Sequence, residues 1–459
     1  MTTTPSTLIL LGGSGDLSSR LLLPALGQLV MQQPKRQVQL IGVGSDEMSD
    51  DDWRDLVRSS FSTTDASGEG VDALLAGTSY FAADVTKVDD IKKVLDAASG
   101  VPALYFALPP SVTLKACQAM ESIDLPDGTV LAMEKPFGVD EDSARNLNEQ
   151  LLKLVPEESV HRVDHFLGHA TVLNLLGLRF ANRIVEPLWT AEHIDSVEIV
   201  YDEQLGLEGR AGYYDNAGAL VDMIQSHLLQ VLSVFAMEPP ATIDAVDLRD
   251  AKAAVLRATR VYGGDPTTAS HRARYTAGTV AGRTFPSYVD EKGVDPSHNT
   301  ETLAQVTFEV DNWRWAGVPF TLRSGKAIGT RRREIVVTFK SAQHVPGGFK
   351  GSADPDVLRI ALAPDEMSLE ININGPGDPH VLDRATLEAE FGPGELKAYG
   401  EVLESILDGD PSLSVRGDSA VQMWRIVAPV IEAWKKDEVP LQEYETGSEG
   451  PADWTVPGR

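Results

Sequence analysis

The sequence predicts a protein of class α/β plus α+β. Its N-terminal part is a Rossmann-like doubly wound parallel sheet, and its C-terminal part a large, mostly antiparallel sheet covered by helices. Over roughly residues 1–160, short apolar segments alternate with helical ones, the order that builds a parallel sheet. Further on, apolar and polar residues alternate with period two, which is typical of antiparallel strands with one covered face.

The parallel sheet is predicted from five short apolar segments. The strands are Thr7–Leu11, Val38–Val43, Ser79–Asp84, Ala103–Leu108 and Thr129–Glu134. Helical segments at residues 21–30, 52–61 and 88–98 lie between them. This alternation favours a dinucleotide-binding domain over residues 1–162, with a second domain over residues 163–459.

The antiparallel sheet is predicted from four alternating segments. They are Val197–Tyr201, Ala304–Val310, Glu334–Lys340 and Ser368–Ile373. Helices near residues 171–182, 216–237 and 395–408 are expected to cover this sheet.

Composition narrows the possible functions. The chain has 459 residues and a formal net charge of −28, which argues against nucleic acid as a partner because phosphate-binding surfaces need clustered cations. It lacks an apolar stretch of about 20 residues and a signal-peptide pattern at its start. The single cysteine, Cys117, allows no internal disulfide. We therefore expect a cytoplasmic protein.

A glycine turn follows the first strand. The run Gly12-Gly13-Ser14-Gly15-Asp16-Leu17 stands between a strand and an apolar helix. In that context, backbone N–H groups and the positive end of the helix can hold a pyrophosphate. The turn therefore predicts a dinucleotide site at the carboxyl edge of the sheet.

Two sets of acidic and histidine residues point to proton transfer. Asp164-His165 follows an apolar segment, and Asp222 and His227 come about sixty residues later. Histidine titrates near neutrality and suits a general base. His161, His165 and His169 are four residues apart, but the first lies in a strand-like segment and no cysteine completes a metal site. The cofactor turn and this cluster together indicate a dehydrogenase.

Several of these runs resemble the glucose-6-phosphate dehydrogenase family. The resemblance covers roughly residues 8–440, and its motifs occur in the same order as in the family. The matching runs are Glu134–Gly138, Asp164 onward, Leu178–Arg183, Glu186–Trp189, Gly206–Asp215, Met237–Pro240 and Gly317–Lys326.

The resemblance implies a role for each site residue. His227 would be the catalytic base and Asp164 the carboxylate that orients its imidazole. Sugar phosphate would be bound by Lys135, His165, His169, Glu203, Asp222, Lys326 and Arg331. The cofactor would be bound by Gly12, Gly13, Ser14, Gly15, Asp16, Leu17, Ser45, Asp46, Asp84, Val85, Pro109, Lys135 and Pro136.

The sequence departs from the family near both ligands. Phe166 and His169 stand where the family usually has tyrosine and lysine, which weakens the predicted phosphate site. Ser45 replaces the arginine that holds the 2′-phosphate of NADP, and Asp46 follows it. A carboxylate there can accept a hydrogen bond from the free 2′-hydroxyl of NAD. Leu21 replaces a lysine of the following helix. We therefore expect NADP or NAD as the cofactor, and these substitutions favour NAD or the use of both.

The resemblance implies oxidation of glucose 6-phosphate at C1 to 6-phosphoglucono-1,5-lactone, the first step of the oxidative pentose phosphate pathway. It also implies a homodimer or homotetramer, formed through the large sheet. Two alternatives stay open. The altered phosphate site could serve an NAD-dependent dehydrogenase of another sugar or sugar acid, or the chain could be a non-catalytic sensor of sugar phosphate or nucleotide.

Overall fold

The computed structural model describes residues 4–362, 366–390, 394 and 396–455. They form two compact units, each built from several chain segments. The first unit comprises Met1–His169, Pro240–Ala253 and Gly394–Trp424. The second comprises Ala170–Pro239, Ala254–Pro393 and Arg425–Arg459.

The first unit contains a seven-stranded sheet, six strands of which run parallel. This confirms the predicted parallel sheet. The seventh strand is antiparallel and comes from a distant part of the chain. In spatial order the strands are Ser414–Val415, Val160–Val163, Val130–Met133, Pro102–Phe106, Thr7–Leu11, Gln39–Gly44 and Ser79–Ala82.

Helices connect the parallel strands. Apolar side chains such as Trp53 and Phe61 are fully buried in the core that these helices form with the sheet. The Trp53 indole donates a hydrogen bond to Thr78 Oγ1 at 2.7 Å, so its polar atom is satisfied there. The helices are Ser18–Leu22 (a π-helix), Leu23–Gln32, Asp50–Ser62, Glu69–Gly77, Val88–Asp96, Pro110–Met120 and Glu141–Leu152, with short 3₁₀ turns at Glu157–Ser159, His165–Gly168 and Pro411–Leu413.

One helix lies elsewhere than predicted. The helix Ala398–Asp408 was expected to cover the antiparallel sheet, but it buries Leu403 and Ile406 in the core of the first unit. Asp408 also forms an ion pair with Arg36 of that unit, at 2.7 Å. The prediction was wrong because an apolar stripe shows that a helix has a buried face without showing what covers that face. Residue 395, the predicted start, lies outside the described residues.

The second unit contains a ten-stranded, mostly antiparallel sheet, as predicted. Each of the four predicted segments lies in one of its strands, apart from a one-residue overhang at Lys340. In spatial order the strands are Leu382–Glu390, Glu366–Asn374, Val357–Ala361, Arg333–Phe339, Ile194–Asp202, Phe320–Gly325, Leu303–Val310, Ser270–Thr276 and Leu441–Glu445, with Thr259–Val261 paired to Leu303–Val310. A separate hairpin joins Gly278–Val280 to Arg283–Phe285.

A long helical run lies in the second unit. It consists of Ala211–Ala219, the π-helix Leu220–Leu228 and Leu229–Ala236. Contrary to the expectation that the chain has no apolar stretch of that length, the run is long and apolar enough to cross a membrane. However, 89% of its most apolar window is buried within the protein, as in a core helix. The remaining helices are Ala170–Phe180, Ala245–Ala258, Pro266–Ala269 and Gly417–Lys435, with short 3₁₀ turns at Glu186–Leu188, Tyr262–Gly264, Tyr288–Asp290 and Pro296–His298.

His161 is a buried ring in the first unit. It is 1% exposed, and neither ring nitrogen has a hydrogen-bond partner among the described residues. Burial, with a contribution from Arg249, lowers the pKa of His161 to about 3. Between that value and about 6.5, the pKa of an unfolded histidine, the unfolded chain binds a proton that the folded chain does not. Stability should therefore fall as the pH falls through this window.

The variant His161→Leu should remove this acid sensitivity. The free energy of unfolding is compared at pH 7.5 and pH 5 for each protein. We expect the decrease between these pH values to be about 2 kcal/mol smaller in the variant than in the parent, since one pKa unit corresponds to about 1.4 kcal/mol. Urea unfolding at the two pH values measures the difference. The exposed His344→Leu is the control. Parallel pH curves for the parent and His161→Leu would contradict the assignment.

Candidate active site

The glycine turn of the first unit brings two strands and a helix close together. Gly12 has a φ of +93°, and a Cβ atom there would lie 2.3 Å from the Ala107 carbonyl oxygen. The amides of Gly12 and Gly13 donate to the Val43 carbonyl at 2.8 and 2.9 Å. Only a residue without a side chain fits this approach.

These hydrogen bonds refine the predicted pyrophosphate site. The Gly15 amide donates to the Gly12 carbonyl at 3.0 Å, so the three glycine amides of the turn are used within the protein. An anion bound at this turn would therefore meet the amides of Ser14, Asp16 and Leu17, at the start of the helix.

Replacing Gly12 tests the turn. Gly12→Ala should place a methyl group against Ala107 and force a backbone conformation that alanine rarely adopts, so we expect a lower Tm and dinucleotide binding weaker by about tenfold or more. Fluorescence titration with NADH and NADPH measures the binding. Gly77→Ala is the matched control, because its Cβ would point into open space. Equal affinities of Gly12→Ala and the parent would contradict the assignment.

A carboxylate lies beside this turn. Ser14 Oγ donates a hydrogen bond to Asp46 Oδ2 at 3.1 Å, which links the turn to the residues after the second strand. Burial raises the pKa of the neighbouring Tyr80; the Ser14 hydroxyl opposes the shift, and the charges of Asp46 and Glu47 add to it. The predicted cofactor residues Ser14 and Asp46 are thus in direct contact, and their surroundings are acidic.

Other predicted cofactor residues follow the third and fourth strands. Asp84 Oδ1 accepts hydrogen bonds from the amide and hydroxyl of Thr86, at 3.0 and 2.6 Å, and these bonds lower the pKa of Asp84. Val85 is buried, and Pro109 immediately precedes the helix Pro110–Met120. They lie at the carboxyl edge, where α/β sheets bind ligands.

Lys135 and Pro136 follow the fifth strand and are joined by a cis peptide bond. The neighbouring Glu134 accepts a hydrogen bond from the Tyr105 hydroxyl at 2.5 Å. Burial raises the pKa of Glu134, and the hydrogen bond from Tyr105 opposes this shift. Lys135 thus follows a half-buried, hydrogen-bonded carboxyl group.

Asp164 lies at the end of the sixth strand and begins a 3₁₀ turn. It is 2% exposed, and its Oδ1 accepts a hydrogen bond from the Phe166 amide at 3.0 Å. The His165 ring stacks on Tyr399, with centroids 5.2 Å apart, and lies 6.1 Å from the His169 ring. The first unit therefore brings Asp164, His165 and His169 together.

A lysine that the sequence analysis missed lies near Asp164. Lys252 is 3% exposed, and burial lowers its pKa to about 7 while the charge of Asp164 opposes the shift. Tyr399 was missed as well. Both residues are far from Asp164 in the sequence, and no motif or periodicity connects them to it.

In the second unit, His227 lies on the π-helix Leu220–Leu228 and is 2% exposed. The Leu229 amide donates to the Ile224 carbonyl, five residues back, the spacing that defines a π-helix. Asp222 is on the same helix, and its carbonyl accepts a hydrogen bond from Ser226 Oγ at 2.7 Å. π-Helical turns are frequent at functional sites.

A carboxylate in the second unit is held by two cations. Glu203 contacts Lys326 Nζ at 2.9 Å and an Arg333 nitrogen at 3.3 Å. Lys326 Nζ also lies 5.0 Å from the Tyr214 ring centroid. Arg331, the predicted member of this group, is exposed, whereas Arg333 makes the contact. Arg333 was not among the predicted residues, because the three consecutive arginines are identical in type and only the resemblance to the family distinguished Arg331.

The fold and these residues define an NAD(P)-dependent oxidoreductase. A glycine turn suited to a dinucleotide lies at the carboxyl edge of a doubly wound parallel sheet, and the second unit carries a buried histidine on a π-helix. Residues 9–174 match "Glucose-6-phosphate dehydrogenase, NAD binding domain", and residues 176–456 match "Glucose-6-phosphate dehydrogenase, C-terminal domain". The chain belongs to the glucose-6-phosphate dehydrogenase family.

Individual relatives are similar over almost their whole length. The chain is 36% identical to a glucose-6-phosphate 1-dehydrogenase of Zymomonas mobilis, covering 98% of this chain and 97% of the relative. The crystal structure of the enzyme from Mycobacterium avium is 32% identical with a TM-score of 0.85, covering 98% of this chain and 95% of that one. A glucose-6-phosphate dehydrogenase in complex with glucose 6-phosphate is 29% identical with a TM-score of 0.86, covering 99% and 97%.

Proposed function

We propose that this protein oxidises glucose 6-phosphate at C1 to 6-phosphoglucono-1,5-lactone, with NAD or NADP as the hydride acceptor. The observation that carries the proposal is similarity along nearly the whole chain to enzymes named for this reaction, both in sequence and in fold. The buried His227 and Asp164 supply the acid–base groups that the reaction needs.

The dinucleotide would bind at the glycine turn, which packs so tightly against Ala107 that Gly12 cannot carry a Cβ atom. When bound, it supplies the carbon that accepts a hydride. Residues of the turn would hold its pyrophosphate, and Ser14 with Asp46 would face its ribose. Lys135, which directly precedes Pro136, would contact both the sugar phosphate and the dinucleotide.

His227 is the proposed base. Its imidazole takes the proton from the C1 hydroxyl as the C1–H bond breaks and the hydride leaves, and a carbonyl forms at C1. Asp164 stabilises the imidazolium that results. Because His227 is almost fully buried, bulk water competes poorly for this proton. Glu203, Asp222 and Lys326 would bind the sugar hydroxyls and phosphate, with Arg331 or Arg333 as a further cation.

Phe166 and His169 favour one alternative, an NAD-dependent dehydrogenase of another sugar or sugar acid. The Phe166 side chain is buried and packs edge-on against the His169 ring, with centroids 5.2 Å apart, and offers no hydroxyl to a phosphate. A site with a weaker phosphate contact tolerates a different 6-substituent better.

Steady-state assays with purified protein test the proposal. Reduction of NAD and NADP is followed with glucose 6-phosphate and, as the matched substrate without phosphate, with glucose. Turnover with glucose 6-phosphate supports the proposed reaction. Turnover with glucose but not with glucose 6-phosphate favours the alternative dehydrogenase. Binding of the sugar phosphate without turnover under any condition favours the sensor.

We also propose a pathway, a cellular compartment and an oligomeric state for the protein. The reaction would begin the oxidative pentose phosphate pathway in the reducing cytoplasm, where the buried Cys117 stays a thiol. The protein would act as a homodimer or homotetramer formed through the large sheet. Light scattering coupled to size-exclusion chromatography measures this; a monomer at assay concentration would contradict it.

A further inference from the structure

The segment Thr300–Thr302 of the second unit touches both the helical run of His227 and the backbone of Lys326. It lies just before the strand Leu303–Val310. Thr300 Oγ1 donates to the Asp215 carbonyl at 2.6 Å, on the helix that precedes the π-helix. The segment therefore connects two parts of the proposed substrate site that are distant in sequence.

Glu301 contacts the start of the π-helix directly. Its carboxylate Oε1 accepts a hydrogen bond from the Leu220 amide at 2.9 Å, and its backbone carbonyl accepts one from the Ala219 amide at 3.3 Å. The first amides of a helix have no partner within the helix, so Glu301 satisfies two donors at the point where the π-helix begins.

The chain bends sharply at the same place. Gly218 has φ +64° and ψ 178°, which interrupts the helical run immediately before Ala219. A Cβ atom on Gly218 would lie 2.2 Å from Glu301 Oε1. The bend and the carboxylate therefore fit together at the start of the helix that carries His227.

The other side of the segment holds Lys326. The Lys326 amide donates to the Thr302 carbonyl at 2.9 Å, and its carbonyl accepts a hydrogen bond from the Tyr444 hydroxyl at 2.6 Å. The Thr302 and Tyr444 hydroxyls lie 2.9 Å apart. One three-residue segment thus contacts both the backbone of Lys326 and the start of the helix that carries His227.

We propose that Glu301 is a positioning residue for His227: its carboxylate, hydrogen-bonded to the Leu220 amide and packed on Gly218, sets the position of the π-helix that carries the base. This deepens the proposed function and rests on it, since it assumes that His227 is the base.

Electrostatics are consistent with this role. Glu301 is 7% exposed, and burial raises its pKa to about 7, an effect that the Leu220 amide opposes. A buried carboxyl group is costly unless it is hydrogen-bonded. A helix N-terminus favours a negative charge, which offsets part of that cost. An amide oxygen can also accept the Leu220 hydrogen bond, so glutamine should substitute and an apolar side chain should not.

The test compares Glu301→Met, which keeps the length of the side chain but removes the acceptor, with Glu301→Gln, which keeps the acceptor. We expect Glu301→Met to lower kcat about ten- to a hundredfold, because small displacements of a catalytic group have effects of this size. KM for the sugar should rise as well, because Asp222 lies on the same helix. Glu301→Gln should recover most of the activity. The control is Glu309→Met on the strand Leu303–Val310, which removes a carboxylate that pairs with Arg260.

A second measurement follows the His227 ring by NMR, with the signal assigned through His227→Asn. Glu301→Met should shift this signal, and Glu309→Met should not. If the parent shows no turnover with any sugar, the proposed reaction fails, whereas the NMR comparison still decides whether Glu301 positions His227. If Glu301→Met does not fold, Gly218→Ala disturbs the same contact from the other side. An unchanged kcat and an unshifted His227 signal would overturn the proposal, as would a lower Tm alone.

Discussion

His227→Asn should lower kcat for glucose 6-phosphate oxidation by about a thousandfold, because a positioned general base contributes about 10²–10⁴ in rate. Asparagine keeps a similar size and polarity, so KM should change only a few fold. The π-helix should stay folded, since its first amides are held by Glu301 and not by the histidine. Stopped-flow and steady-state assays of NADH or NADPH formation measure the loss.

The matched control is His193→Asn, a partly buried histidine of the same unit that has no proposed role. It should keep full activity. Asp164→Asn should also lower kcat, because the carboxylate that stabilises the imidazolium is removed. Near-normal turnover of His227→Asn with unchanged substrate binding would show that another group takes the proton.

NAD should be the better cofactor, and Asp46 should be the main reason. The hydrogen bond from Ser14 holds the Asp46 carboxylate beside the glycine turn, where it can accept from a ribose 2′-hydroxyl and repels a 2′-phosphate. Asp46→Ser combined with Ser45→Arg should shift the ratio of kcat/KM toward NADP by about a hundredfold. A charge-assisted contact contributes about 1.5–3 kcal/mol, and each 1.4 kcal/mol is tenfold.

Asp55→Ser is the control for this exchange, because Asp55 is an exposed acid of the following helix. It should leave the cofactor ratio unchanged. A parent that prefers NADP would contradict the expected preference for NAD, and an unchanged cofactor ratio in the double variant would contradict the role of Asp46. Arg20 would then be the next candidate for a contact with the 2′-phosphate, because it is exposed near the turn, where it pairs with Asp16 at 3.1 Å.

Much of the fold follows from periodicity. The strand Thr7–Leu11 is found with its predicted bounds, and the other four predicted strands lie within two residues of theirs. The sixth parallel strand, Val160–Val163, was not among the predicted strands of this sheet. These segments are bounded by glycine, proline or acidic turns, so the local signal was strong. The antiparallel strands were predicted because alternation reflects a sheet with one covered face.

The remaining features depend on contacts between distant residues. Glu301 stands between two threonines before a strand, and nothing in that sequence indicates that its carboxylate meets an amide eighty-one residues earlier. The same holds for Tyr399 under the His165 ring and for the helix Ala398–Asp408 in the first unit. Patterns along the chain indicate which side chains are buried and whether a segment is a helix or a strand. They do not identify the distant residue that each side chain contacts.

The placement of the helix Ala398–Asp408 and the strand Ser414–Val415 affects how the chain reaches its native state during translation. Both complete the first unit, yet they leave the ribosome after almost the whole of the second. A nascent chain that stops before them exposes the apolar surface that Leu403 and Ile406 cover, next to the helix Leu23–Gln32. Until synthesis is nearly finished, this surface is open to chaperones and to aggregation.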